Sequence, residues 1–249
     1  MNIGLYQSAA SLSALERWQD AVSQNITSAQ NTGYRARTMQ FSTQAAGEYQ
    51  FDPNAKAGVD NGTAALFPSV HGGINFLAGE TQPTKRDLDV AIQGEGFFQV
   101  QMPDGNMAYT RSGEFRLRPD RTLVTSAGRE VMSEGGNPIV LQPGMGALSI
   151  NPDGSIFQGN TPLGKIGIKK FADDHLLTPI AGGMFAAPNG VVPQSVDKPE
   201  LLQGYLEQSN VQPLREMVDM VLISRAYEAN QKVITSVDER MQKTLEALG

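Results

Sequence analysis

A chain of 249 residues with 40% hydrophobic content holds enough apolar material for one good-sized core or two modest ones, which excludes a purely disordered polypeptide. A formal net charge of −6, with no block of lysine or arginine, excludes the electrostatic footprint of a nucleic-acid or anionic-membrane binder. The absence of cysteine removes disulfides, iron–sulfur ligation and thiol chemistry.

Met1 to Ser13 has no basic n-region and no apolar run of signal-peptide length, and no span is long enough to cross a bilayer. Any export is therefore expected to use a route without a cleaved signal peptide. From residue 3 to 29, Leu5, Leu12, Leu15, Val22, Ile26 and Ala29 recur at three-four spacing, which predicts an amphipathic helix, with Trp18 beside the stripe. Asn31, Thr32 and Gly33 supply its stop, because glycine readily takes the left-handed conformation that closes a helix.

Residues 45 to 71 are rich in Gly, Ala, Asn and Gln with little periodicity, and read as an extended linker. The glycines and prolines concentrate from about Gly58 to Pro199, between short apolar runs such as Asp89–Ile92, Phe97–Met102, Glu114–Leu117 and Lys165–Phe171. Asp104-Gly105, Asp153-Gly154 and Asn189-Gly190 punctuate them as turns. The expectation is a β-rich domain over 72–195.

The segment 196–249 is expected to carry a second amphipathic helix. Met220, Ile223, Tyr227, Ile234, Val237, Met241 and Leu248 form its stripe, with Asn230 and Thr244 as polar members. Val211, Leu214, Met217, Val218, Val221 and Leu222 widen the stripe in its first part, so that part is expected to touch more than one neighbour. Pro213 suits the first turn, where a missing N–H costs little. The resulting fold class is α+β: a discontinuous helical domain of coiled-coil-like helices from both termini (1–44 and 196–249), with the linker and the β-rich domain inserted.

No catalytic constellation emerges. His71 and His175 stand in dissimilar loop-like surroundings without metal-ligand spacing. Asp173-Asp174-His175 reads as a solvated turn. Gly94-Glu95-Gly96 lacks the third glycine of a dinucleotide fingerprint and opens a strand, so no cofactor is expected. Charged groups such as Arg86 with Asp87 and Asp89, or Glu207 with its polar neighbours, read as solvated surface. A rival reading as a polysaccharide-binding or cleaving β protein finds no paired carboxylates at usable positions.

Three blocks carry a family resemblance. DAVSQNITSAQNTGYRARTMQF, from Asp20 to Phe41, is similar to the amino-terminal motif of the flagellar axial proteins, with Asn25, Gly33, Tyr34 and Arg35 matching. DLDVAIQGEGFFQVQMPDGNMAYTRSGEFRL, from Asp87 to Leu117, resembles their central Asp-Val-Ala-Ile-x-Gly-x-Gly-Phe-Phe stretch and its Tyr-Thr-Arg-x-Gly-x-Phe continuation. LLQGYLEQSNVQPLREMVDMVLISRAYEANQKVITSVDERMQKTL, from Leu201 to Leu245, resembles their carboxy-terminal signature, with Gly204, Glu207, Ser209, Asn210 and Val211 matching.

The resemblance is strongest to the rod proteins; the modest length with Val233–Glu239 leans toward the proximal members, while Gly-Phe-Phe and Arg-Ala-Tyr-Glu also suit the distal ones. It implies terminal helices in the inner layer of a helical tube, a β domain outside, and export by the flagellar type III apparatus. Its implied partners are copies of the chain and homologous rod and axial subunits, with no nucleic acid and no small-molecule substrate. The expected assembly interface comprises the stripe residues Leu5, Leu12, Leu15, Val22, Ile26, Met220, Ile223, Tyr227, Asn230, Ile234, Val237, Met241 and Leu248, joined by Trp18, Asn25, Gly33 and Tyr34.

Overall fold

A computed structural model describes residues 3–50, 62–144 and 146–246. Helix α1 (Ile3–Ser28) leads into strands β1 (Arg37–Gln50), β2 (Gly62–Ile74), β3 (Thr81–Pro83), β4 (Val90–Gln93) and β5 (Phe97–Gln101). There follow β6 (Met107–Thr110), β7 (Phe115–Leu117), β8 (Leu123–Thr125), β9 (Glu130–Val131), β10 (Leu148–Ile150), β11 (Ser155–Gln158) and β12 (Thr161–Lys165). The last strands are β13 (Ile168–Lys170), β14 (Thr178–Ile180), β15 (Met184–Ala186), β16 (Gln194–Ser195), β17 (Glu200–Gln203) and β18 (Tyr205–Glu207), before helix α2 (Pro213–Glu246). The architecture is α+β.

The chain divides into two compact units. One is drawn from α1, from β1 and β2, and from α2; the other comprises residues 28–36 and 74–211.

In the first unit, α1 runs through its apolar periodicity and ends at Ser28, whose carbonyl accepts the Asn31 N–H at 3.0 Å. Leu15, Val22 and Ile223 form a buried cluster, with Trp18, Ile26, Met220, Ala226 and Tyr227 packed against it. Small residues Ala14 and Ala21 are buried on the same helix. β1 and β2 pair with each other as a two-stranded sheet, so residues 45–50 and 62–71, read from sequence as an unpaired connection, belong to strands. Their Gly- and Ala-rich composition hides a strand signal that normally rests on β-branched alternation. Residues 51–61 of the expected linker lie outside the described residues, as does Leu248.

The second unit is built on a nine-stranded sheet whose main path runs β14-β15-β6-β5-β9-β8-β7, with β13 pairing β5 and β16. Val90, Phe98, Phe115, Leu123, Val131, Ile156 and Leu201 are among its most deeply buried core members. Phe98 meets Phe115 edge to face, with ring centroids 5.1 Å apart. Gly113 is required beside them, since a Cβ there would lie 1.6 Å from the Val90 carbonyl oxygen. A second cluster gathers Phe97, Tyr109, Phe171, Leu177 and Phe185.

Strand structure continues past residue 195 in two separate two-stranded sheets. Leu201 on β17 pairs Ile92 on β4, and Leu206 on β18 pairs Gln82 on β3. The stretch from 196, assigned from sequence to the segment of the second helix, therefore first contributes two strands, and the helix begins at Pro213, the residue expected in its first turn. Strands of four and three residues, broken at Gly204 with φ +79°, are too short to show a period.

Candidate assembly site

The three sequence blocks meet inside the second unit. Arg35, just after the first helix, places Nη1 2.6 Å from Glu207 Oε1, and Arg111 on the central block places Nε 3.6 Å from Glu207 Oε2. These side chains are 1%, 6% and 2% exposed for Arg35, Arg111 and Glu207, which overturns the solvated-surface reading of Glu207. Glu207 also accepts the Gly79 N–H on Oε1 at 2.9 Å, and its carbonyl accepts the Gly33 N–H at 2.8 Å. Arg111 donates from Nη2 to the Gly94 carbonyl and lies over the Phe97 ring, 5.6 Å from its centroid.

Burial pulls the Arg111 guanidinium below its usual pKa, while the Glu207 charge acts the other way. Burial also raises the Asp174 carboxyl, against the lowering influence of Arg111. Asp89 corrects the surface reading as well: it is 0% exposed, held by Arg86 Nη2 at 3.2 Å from Oδ1. Glu207 is tolerated in its burial by two guanidinium groups and the Gly79 N–H, whereas Asp89 relies on the Arg86 cation.

Gly33 and Tyr34 sit at the same knot. Gly33 has φ +67°, and a Cβ there would lie 2.3 Å from the Ser112 amide nitrogen. Tyr34 packs with Ala36 and Val211. Asn210 accepts the Ala36 N–H at 2.7 Å and donates through Nδ2 to the carbonyls of Asn75 at 2.8 Å and Leu77 at 2.7 Å. The motif's Asn therefore ties three stretches of backbone together.

In the first unit Asn25 has the equivalent task. Its Oδ1 accepts the Arg37 N–H at 2.8 Å, and Nδ2 donates to the Arg37 carbonyl at 2.9 Å and to Glu216 Oε1 at 3.1 Å. Burial raises the Glu216 pKa above its ordinary 4.5, opposed by the Asn25 hydrogen bond. Asn25, Gly33, Tyr34, Leu15, Val22 and Ile223 are all buried within the subunit. Leu5, Leu12, Trp18, Ile26, Met220, Tyr227, Asn230, Ile234 and Val237 are half-buried, with Trp18 edge-on to Phe41 at 5.3 Å. Asn230 donates to the Ala226 carbonyl at 3.1 Å, and Met241 is exposed.

Further apolar residues of α2 are exposed. Leu214 is 78% exposed, and Met217, Val218, Val221, Leu222 and Val233 are each about half exposed. The first five occupy i, i+3, i+4, i+7 and i+8 positions, which form one stripe along a helix. The sequence shows these residues as apolar and helical; that they are left uncovered while Ile223 is buried follows only from the packing.

Residues 91–158 match the model of the flagellar hook protein FlgE/F/G D1 domain, and residues 202–247 match that of the flagellar basal body rod FlgEFG protein C-terminal region. The flagellar basal-body rod protein FlgF of Caulobacter vibrioides is 33% identical over 252 residues, covering 100% of this chain and 99% of that one. This chain belongs to the FlgF/FlgG family of flagellar basal-body rod proteins. FlgG of Borreliella burgdorferi is 30% identical over 262 residues, covering 95% of each chain. FlgG of Buchnera aphidicola subsp. Baizongia pistaciae is 37% identical over 178 residues, 66% of each. The D1 match contains Arg111, and the C-terminal match contains Glu207, Asn210 and the exposed stripe of α2.

Proposed function

We propose that this chain is a structural subunit of the bacterial flagellar basal-body rod, without catalytic activity, and that it occupies the proximal position. The end-to-end similarity to a Caulobacter FlgF carries the reading. Its partners are other flagellar rod and axial subunits, copies of itself included, and the type III export apparatus delivers it to the periplasm-spanning rod.

In this reading α1 and α2 form an antiparallel, coiled-coil-like pair, discontinuous in sequence, that builds the inner layer of the axle; the β-rich unit forms the outer layer. The shared cluster of Leu15, Val22 and Ile223 supports the pairing. The uncovered stripe from Leu214 to Leu222 supports association, because removing such apolar surface from water contributes about 25 cal/mol per Å² before ordering costs. A partner bound to this stripe by a different surface of its own extends into a helical filament, the geometry an axle needs.

The test is the position of an epitope-labelled chain in isolated basal bodies, together with the basal bodies made when the chain is deleted. Label in the proximal rod and loss of everything distal to it are expected. Basal bodies free of label, or complete rods without the chain, would overturn the assignment.

A further inference from the structure

The turn dipeptides Asp104-Gly105, Asp153-Gly154 and Asn189-Gly190 share a backbone conformation, since each glycine has positive φ: +83°, +84° and +95°. Asp104, Asp153 and Asn189 are all exposed. What separates the three is whether anything holds the side chain. Asp104 accepts the Asn106 N–H on Oδ1 at 3.1 Å and Asn106 Nδ2 on Oδ2 at 2.7 Å. Asp153 accepts the Ser155 N–H on Oδ1 at 3.1 Å and the Ser155 hydroxyl on Oδ2 at 2.8 Å. These hydrogen bonds, those from side chains foremost, hold both carboxyls below the usual aspartate range. They fix both oxygens and make the protonated carboxyl, the form that carries a leaving group, scarcer.

Asn189, between β15 and β16, has no such restraint. Among the described residues its carboxamide has no hydrogen-bond partner, and neither has the Gly190 N–H. The turn is closed one residue later, by the Val191 N–H on the Pro188 carbonyl at 3.1 Å, with the positive φ at its third residue that a type II turn requires. No heavy atom lies within 4 Å of where a Gly190 Cβ would stand. The ends of the turn are fixed, because Ala187 and Val191 pack against the cluster of Phe97, Tyr109, Phe171, Leu177 and Phe185. A labile amide therefore stands beside an uncommitted, uncrowded backbone nitrogen in water.

We propose that Asn189 is a self-modification site, at which the Gly190 nitrogen converts the carboxamide to aspartate and isoaspartate. The deprotonated Gly190 nitrogen attacks Asn189 Cγ. The N–Cγ bond forms, the Cγ–Nδ2 bond breaks, and Nδ2 leaves as ammonia, taking up a proton in place of the one the glycine nitrogen gave up. Water then adds to either carbonyl of the resulting succinimide. Cleavage of the N–Cγ bond leaves aspartate at position 189; cleavage at the original main-chain carbonyl leaves the chain running through Cγ. Both products add a negative charge to the exposed turn, and the second also lengthens the main chain between the anchored Ala187 and Val191.

The experiment is peptide mapping by mass spectrometry of the full chain, incubated folded and in urea at neutral and mildly alkaline pH, with fragmentation that tells aspartate from isoaspartate. Mapping also separates Asn189 from the other Asn-Gly pair, Asn61-Gly62. In the folded chain Asn189 is expected to convert, faster at the higher pH because the attacking nitrogen must lose its proton, while Asp104 and Asp153 isomerise only in urea. Asn189→Gln should abolish conversion in that peptide, and Gly190→Ala should slow it several-fold by placing a side chain beside the attacking nitrogen. Three results would overturn the site: Asn189 intact in the folded chain over a time that converts it in urea, isoaspartate at folded Asp104 or Asp153 as fast as at Asn189, or undiminished conversion in a folded Gly190→Ala protein.

Discussion

Arg35 Nη1 stands 2.6 Å from Glu207 Oε1, and both side chains are almost wholly removed from solvent. The pair joins the stretch after α1 to the last strand before α2, so it forms only when both regions of the chain are in place. Removing one partner leaves an uncompensated buried charge, which typically costs about 3–5 kcal/mol. Glu207→Ala, which leaves Arg35 and Arg111 buried without a carboxylate, is therefore expected to lower the unfolding free energy of the β-rich unit, measured in urea, by that amount, and Arg35→Ala, which leaves Arg111 beside Glu207, by less. The double variant should be less destabilised than the sum of the two. Single-variant losses below about 1 kcal/mol would show that the pair contributes little.

Gly33 and Gly105 allow backbone strain and crowding to be separated. Both have positive φ, +67° and +83°, but only Gly33 has backbone atoms where a side chain would go. Gly105→Ala is expected to cost about 1–2 kcal/mol, the left-handed penalty alone. Gly33→Ala bears that penalty and must also displace the Ser112 amide, so it should cost distinctly more. Equal thermal shifts in the two variants would contradict the crowding at Gly33.

What the sequence reveals of this fold follows from the range of the interactions involved. Leu15, Val22 and Ile223 are legible because a helical period is a local property, read within a few turns. Glu207 is not, because a carboxylate is exposed by default and only Arg35 and Arg111, remote in sequence, make its burial tolerable. Asn25, Gly33 and Tyr34 stand out as motif residues, yet their roles as internal ties depend on which backbone they meet. The division of α2 into a buried and an uncovered face is likewise a tertiary fact, since Ile223 and Val221 are equally apolar.

Glu216 gives the fold a pH dependence of defined sign. Its folded pKa lies above the ordinary 4.5 because of burial, so the folded protein binds more protons than the unfolded chain as pH passes upward through that region. Stability contributed by this residue therefore falls with rising pH between 4.5 and the raised value. Glu216→Gln keeps an acceptor for Asn25 Nδ2 and removes the titration. Its stability relative to the wild type should rise across that window and level off above it, measured by urea unfolding at closely spaced pH. A flat difference would show that Glu216 is not desolvated.

Val218 and Ile223 stand five residues apart on one helix, and separate assembly from folding. Val218 is 54% exposed and Ile223 is 1% exposed. Placing aspartate at position 218 puts charge where the free subunit already meets water, so the unfolding free energy should change by no more than about 0.5 kcal/mol. The same charge in a neighbour-covered seam would be buried without a partner, and rods should fail to incorporate the variant. Ile223→Asp buries its charge inside the subunit against Leu15 and Val22, so it should lose stability before any question of assembly arises. Co-purification of each variant with basal bodies, alongside its unfolding curve, separates the two effects. Normal incorporation of a stable Val218→Asp protein would move the intersubunit contact away from the Leu214–Leu222 stripe, whatever became of Ile223→Asp.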